Sequence, residues 1–197
     1  MDTYEFCDVS TPLETYEWDD VWFEKTGNGS AKRVLYIGDS ISVWTRKLIT
    51  KRTKDNILCD GYATSKALDN PYFTVMIGLQ LAQQNRCDGV LFNNGLHGWH
   101  LPDEEYLSGY EKAVKFILSK TKAPLYILLT TTIKGDRNDR VIKRNELAKI
   151  VANKYNLKVI DLYDISQKNN NLMSDDGVHF VDAGYEIFAQ EIIKNIK

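Results

Sequence analysis

Two short segments near opposite ends of the 197-residue chain hold the residue types that nucleophilic catalysis requires. The first, Gly38-Asp39-Ser40, follows the apolar run Val34-Leu35-Tyr36-Ile37 and precedes a stretch of helical character. That places Ser40 at a strand-to-helix turn, where the free N–H groups of a helix start can serve both the serine and an oxyanion. The second, Asp176-Gly177-Val178-His179, carries a carboxylate and an imidazole three residues apart. A serine hydroxyl is a poor nucleophile until a base takes its proton, and an imidazole held in one tautomer by a carboxylate is the usual base. Gly177 permits a sharp bend, so one loop can deliver both groups. The chain order Ser, Asp, His is one of several in which such a triad occurs.

Each segment has a plainer reading. Asp39 and Ser40 are good helix caps, and Asp176 with His179 would also suit a surface turn or the cap of a last helix. The chain has three histidines, His97, His100 and His179. His97 can be read as a donor to a substrate oxygen, as a buried hydrogen-bonded histidine under Trp99, or as a metal ligand with His100 and His179. The sequence calls for neither a metal nor an organic cofactor. Asp39, Trp99 and Thr131 are the candidates for substrate contact, although threonines at strand ends are ordinary and tryptophans also fill cores. Trp44 lies near Ser40 with the same two readings. Asp136-Arg137-Asn138-Asp139-Arg140, with Arg144 and Asn145 beyond, reads as a solvated helix start, substrate contact being the alternative.

The elements that must position these groups alternate short apolar runs with longer amphipathic stretches, the pattern of βα units around a parallel sheet. Strands are predicted over 34–37, 56–59, 89–93, 125–130 and 158–161, rich in Val, Ile and Leu as strands covered on both faces should be. Helices are predicted over 43–51, 72–84, 104–120, 139–155 and 182–195. In the last, Tyr185, Phe188, Ala189, Ile192, Ile193 and Ile196 recur at three- and four-residue steps. Ligands of open α/β sheets bind outside the carboxyl ends of the strands. That rule nominates Gly38 to Ser40, the segment near Gly61, Asn93 to His97, and Thr130 to Thr132.

Composition limits the function classes. A hydrophobic content of 43% over this length allows one sizeable core. The division expected is a lead-in over 1–30 that packs Trp18, Trp22 and Phe23 on one domain over 31–197. Lys and Arg (25) nearly balance Asp and Glu (27), for a net charge of -2. Neither nucleic acid nor an anionic membrane is the partner expected of such a surface; a small neutral molecule is. Cys7, Cys59 and Cys87 are unpatterned and read as reduced thiols. No signal-peptide pattern or apolar span is visible, so the expected location is the cytoplasm, or outside the cell if a leader has been trimmed. No GxGxxG or phosphate-loop glycine pattern follows a strand, which argues against a nucleotide-binding domain.

The chain resembles the SGNH (GDSL-like) serine hydrolases, whose GDS block follows the first strand and whose DxxH block precedes the last helix. Gly38-Asp39-Ser40 and Asp176 through His179 match those blocks, and the resemblance runs from Arg33 onward. It implies a three-layer α/β/α, flavodoxin-like sandwich with a central parallel sheet of about five strands. It also implies hydrolysis of a carboxylic ester through an acyl-enzyme on Ser40. For the oxyanion hole it implies the Ser40 N–H and a glycine after the second strand, offered by Gly61, or a backbone N–H among residues 63–65. The third donor is the asparagine of a GxND block. Here the sequence reads Asn93-Asn94-Gly95-Leu96-His97-Gly98. His97 stands in the asparagine's place, with Asn94, or else Asn93, as the other candidate donor. The substrates implied are short acyl esters of a carbohydrate or other small polar molecule. A lipid-directed acylhydrolase, lysophospholipase or thioesterase is the second reading, and a non-catalytic carbohydrate-binding relative the third.

Overall fold

A computed structural model describes residues 16–84 and 86–196. Among them six strands form one sheet in the order β1-β3-β2-β4-β5-β6. They are β1 (Asp19–Trp22), β2 (Lys32–Gly38), β3 (Ile57–Thr64), β4 (Gly89–Phe92), β5 (Leu125–Leu128) and β6 (Lys158–Ile160). β2 through β6 run parallel, and β1 adds antiparallel to β3, Trp22 opposite Gly61. The helices are α1 (Ser40–Arg52), α2 (Phe73–Gln83), α3 (Asp103–Lys120), α4 (Asn138–Lys154), α5 (Leu162–Lys168) and α6 (Asp182–Ile196).

Alternation along the buried strands sends side chains to two cores. Val34 and Tyr36 face one layer with Ile41 and Ile49 of α1 and Phe188 and Ile192 of α6. Leu35 and Ile37 face the other, with Ile77 of α2, Tyr110 and Val114 of α3, and Val151 of α4. The architecture is the three-layer sandwich expected. The periodic positions of the last helix, Tyr185, Phe188, Ala189, Ile192, Ile193 and Ile196, are all buried. No helix among the described residues is long and apolar enough to cross a membrane.

Three features depart from expectation. The sheet has a sixth strand, because Asp19–Trp22 pairs on the edge of β3 despite two aspartates. Trp22 of that strand stays largely exposed, while Trp18 and Phe23 are half-buried. β3 continues to Thr64, five residues past the predicted end, and every residue in it is buried. Asp60 and Gly61 interrupt the apolar run there; the buried Arg33 guanidinium neutralises Asp60 at 2.7 Å. α5 was not expected. From β2 the chain builds β3 on one side and β4, β5 and β6 on the other, so β2 is the point where strand order reverses, and open α/β sheets bind their ligands beyond the carboxyl end of such a strand.

Candidate active site

Ser40 begins α1 directly beyond β2, at that reversal point. Asp39 caps the helix: its Oδ1 accepts from the Ile41 N–H (3.0 Å) and its carbonyl from that of Ser42 (3.0 Å). The cap leaves the Ser40 N–H, one of the orphan donors of a helix start, beside its own hydroxyl. Ser40 Oγ lies 2.8 Å from His179 Nε2, and His179 Nδ1 lies 2.8 Å from Asp176 Oδ2. The order of these contacts requires Nδ1 to carry the proton shared with the carboxylate and Nε2 to face the hydroxyl.

The loop before α6 is built to hold that pair. Asp176 Oδ1 accepts from the N–H groups of Val178 (2.8 Å) and His179 (2.9 Å). Gly177 takes a φ of +75°, a backbone that side-chain-bearing residues avoid. The Ser174 N–H donates to the His179 carbonyl (2.8 Å), and the Lys134 N–H ties the Gly177 carbonyl to the segment beyond β5 (2.8 Å). Burial alone would raise the Asp176 pKa, but the N–H groups of Val178 and His179 and the imidazole outweigh it and hold the carboxyl below its usual value. Asp39 goes the other way. It is buried, and burial raises its pKa against the opposing influence of His97, the Ile41 N–H and His179.

The oxyanion candidates are placed unevenly. Gly61 lies inside β3, between Tyr36 of β2 and Trp22 of β1, rather than after the strand. The Ser65 N–H donates to the Trp18 carbonyl (3.2 Å), so by the alternation of a strand the N–H groups of Gly61 and Ala63 also face β1, away from Ser40. Thr64 N–H belongs to the β2 ladder by the same alternation. Gly61 is a glycine for another reason: a Cβ there would stand 2.3 Å from Cδ of Arg46, which crosses the sheet at that point. The Lys66 N–H goes to Thr64 Oγ1 (3.1 Å), which makes Ala67 the first residue beyond β3 whose N–H is not engaged in this way.

The segment after β4 is buried throughout. Asn93 Nδ2 donates to the Leu128 carbonyl (2.9 Å) and Thr130 Oγ1 (2.9 Å), tying β4 to β5. Asn94 Nδ2 donates to the Lys66 carbonyl (3.1 Å), which commits its amide to the loop after β3. His97 is 3% exposed, meets the Trp18 ring edge-on at 6.0 Å, and is near enough to Asp39 for its charge to bear on that carboxyl. Trp18 was expected to pack on the domain; its position against His97 was not legible.

The other candidates also separate. Thr131 is buried with Asp39 around a cavity of about 10 Å³, too small for substrate. Trp99 is 4% exposed and lies in the core, with Arg144 4.5 Å from its ring centroid; this corrects its expected substrate contact. Trp44, one turn after Ser40, is instead 53% exposed. Arg144 and Asn145, read as part of a solvated helix start, are buried. His100 pairs with Asp69 (2.9 Å) and His179 with Asp176, and no group of three or more His, Cys, Asp or Glu among the described residues is arranged to hold a metal ion. Cys59 and Cys87 are free thiols whose pKa values burial raises; Cys7 lies outside the described residues.

No protein-family model and no curated protein matches the sequence. Solved structures match the fold. An acetyl xylan esterase superposes with a TM-score of 0.69 at 15% identity, over 84% of this chain and 100% of its own. A member of the lipolytic G-D-S-L family from Veillonella parvula gives 0.65 at 17%, over 83% and 97%. The chain has the fold of the SGNH/GDSL hydrolases. A lipase/acylhydrolase from Enterococcus faecalis, at 0.63 and 16% over 84% and 95%, shares it. At these identities the likeness concerns the fold alone. Ser40, His179 and Asp176 stand on the geometry of this chain.

Proposed function

We propose that the protein is a serine esterase that removes a short acyl group, such as acetyl, from a carbohydrate or other small polar molecule. The observation that carries this reading is the unbroken relay of 2.8 Å contacts from Ser40 Oγ through His179 to Asp176, at the reversal point of the sheet. In the first step His179 Nε2 takes the Ser40 proton as Oγ attacks the ester carbonyl. Asp176 holds the imidazole and stabilises the imidazolium. The tetrahedral oxyanion is met by the Ser40 N–H and by the His97 imidazole, with the Ala67 N–H as a third donor in place of Gly61. His179 then gives its proton to the leaving alcohol, and water, activated by the same imidazole, releases the acid and restores the Ser40 hydroxyl. No step calls on a metal or cofactor.

Support for a polar substrate comes from a groove of about 430 Å³ whose lining is mainly polar, Thr132, Lys134, Asn138, Gln167 and Asn170, with Ile133, Gly135 and Met173 completing it. The hydrogen bond from Lys134 to Gly177 joins its wall to the Asp176 loop. One fold neighbour is named an acetyl xylan esterase, and another a lipase/acylhydrolase. The lipid-directed reading predicts rates that rise with acyl chain length; the reading preferred here predicts the highest rate on acetate. Wild-type protein is expected to hydrolyse p-nitrophenyl acetate and to be labelled by a fluorophosphonate at Ser40, and Ser40→Ala to do neither. Equal hydrolysis by both proteins would remove Ser40 as nucleophile. Sugar binding by calorimetry without labelling would favour a non-catalytic relative.

A further inference from the structure

We propose that Arg144, on α4, is the positioning residue that fixes His97 for its work at the oxyanion; the inference rests on the oxyanion reading of His97. Arg144 is 2% exposed, and its guanidinium gathers the carbonyls of Gly95 (3.0 Å), His97 (2.7 Å) and Gly98 (2.5 Å). Three acceptors within four residues are thus read by one planar fork. The His97 carbonyl is among them, so the peptide unit from which the imidazole projects is held directly.

The fork is itself held. Its centre lies 4.5 Å from the Trp99 ring centroid and 4.6 Å from that of Tyr106. Tyr106 in turn donates its hydroxyl to the Asn94 carbonyl at the start of the same loop. α4 is registered to the sheet one residue on, where the Asn145 side chain pairs with both the N–H (2.8 Å) and the carbonyl (2.9 Å) of Thr130. One turn earlier, Arg140 donates to the carbonyls of Trp99 (2.6 Å) and Leu101 (2.9 Å). α4 therefore works as a template, carrying the position of the sheet to a loop that has no regular structure of its own.

A helix next to a loop needs no buried arginine for packing, and burying a charge without a matching task is costly. Holding the loop so that its donor is aimed in advance at the place where the oxyanion develops is such a task, since a misplaced donor loses much of its value there. Lysine cannot replace the fork: an ammonium is a point donor on a flexible stem. The effect belongs to the transition state, so it is carried by kcat and not by KM.

The test is a double-mutant cycle with p-nitrophenyl acetate, measuring kcat, KM and the urea midpoint of each protein. His97→Ala is expected to lower kcat about 100-fold. Arg144→Lys is expected to lower kcat at least tenfold with KM within twofold, and to have less than a twofold further effect in the His97→Ala background. Equal fold-losses from Arg144→Lys in both backgrounds would overturn the inference and leave the oxyanion reading standing. Wild-type kcat in His97→Ala would overturn both. Should Arg144→Lys not fold, Arg144→Gln, which keeps N–H donors without the charge, enters the same cycle with the same outcomes.

Discussion

Asp176 and Asp39 are carboxylates near one hydroxyl, and their surroundings drive them apart. Asp176 accepts two backbone N–H groups and the imidazole, which hold it ionised; Asp39, enclosed behind Ser40, is pushed towards neutrality by burial. The first is fitted to stabilise an imidazolium, the second to cap a helix. Asp176→Asn is expected to lower kcat by about 10⁴, since the amide presents the wrong partner to Nδ1. Because its folded pKa is depressed, Asp176 stabilises the fold above its unfolded value and loses that contribution as pH falls through the folded one. The melting temperature of wild type should therefore exceed that of Asp176→Asn above about pH 4, and the gap should close below it. A gap that widens on acidification would contradict the assignment. These residues were legible in sequence because two short motifs carry them. The commitment of Asn94 to the Lys66 carbonyl was not, because an amide's partner depends on which loop lies opposite.

At the scale of elements, the βα alternation located the five parallel strands, and the errors have local causes. In β3 a charge and a glycine break the apolar run after Cys59, where the pattern predicts the strand's end, yet both are interior. Asp60 is matched by Arg33, and Gly61 makes room for Arg46 of α1, a buried side chain that reaches across to Asp20 of β1 at 3.1 Å. β1 was hidden because an edge strand with one open side needs no apolar pattern. Gly61→Ala is expected to cost about 1–3 kcal/mol in urea unfolding, since a methyl would collide with the Arg46 stem. Activity per folded molecule should stay near wild type, because the Gly61 N–H faces β1. A folded Gly61→Ala protein that had lost kcat would restore Gly61 to the oxyanion hole.

For the molecule as a whole, Asp60 is a node. Its carboxylate receives both contacts of Arg33 Nη1 (2.7 and 2.8 Å), Gln84 Nε2 (2.7 Å) and the Glu24 N–H (2.7 Å), joining the lead-in to β2, β3 and the end of α2. Removing one partner of a buried pair leaves the other charge stranded, so Asp60→Ala should lose about 3–5 kcal/mol of stability. The exposed pair Lys25–Asp55 should contribute less than about 1 kcal/mol. Guanidinium or urea midpoints of the two alanine variants compare them directly, and equal losses would contradict the role given to Asp60. By itself the sequence determined the alternation of strands and helices, through apolar periodicity, and singled out Ser40, Asp176 and His179, because each sits in a motif whose backbone conformation is local. Only the tertiary structure decided what surrounds them: Trp18 against His97, Arg144 beneath its loop, Arg46 at Gly61 and Trp99 in the core. Those neighbours come from segments far apart in the chain, and long-range packing sets their contacts without leaving a local pattern to read.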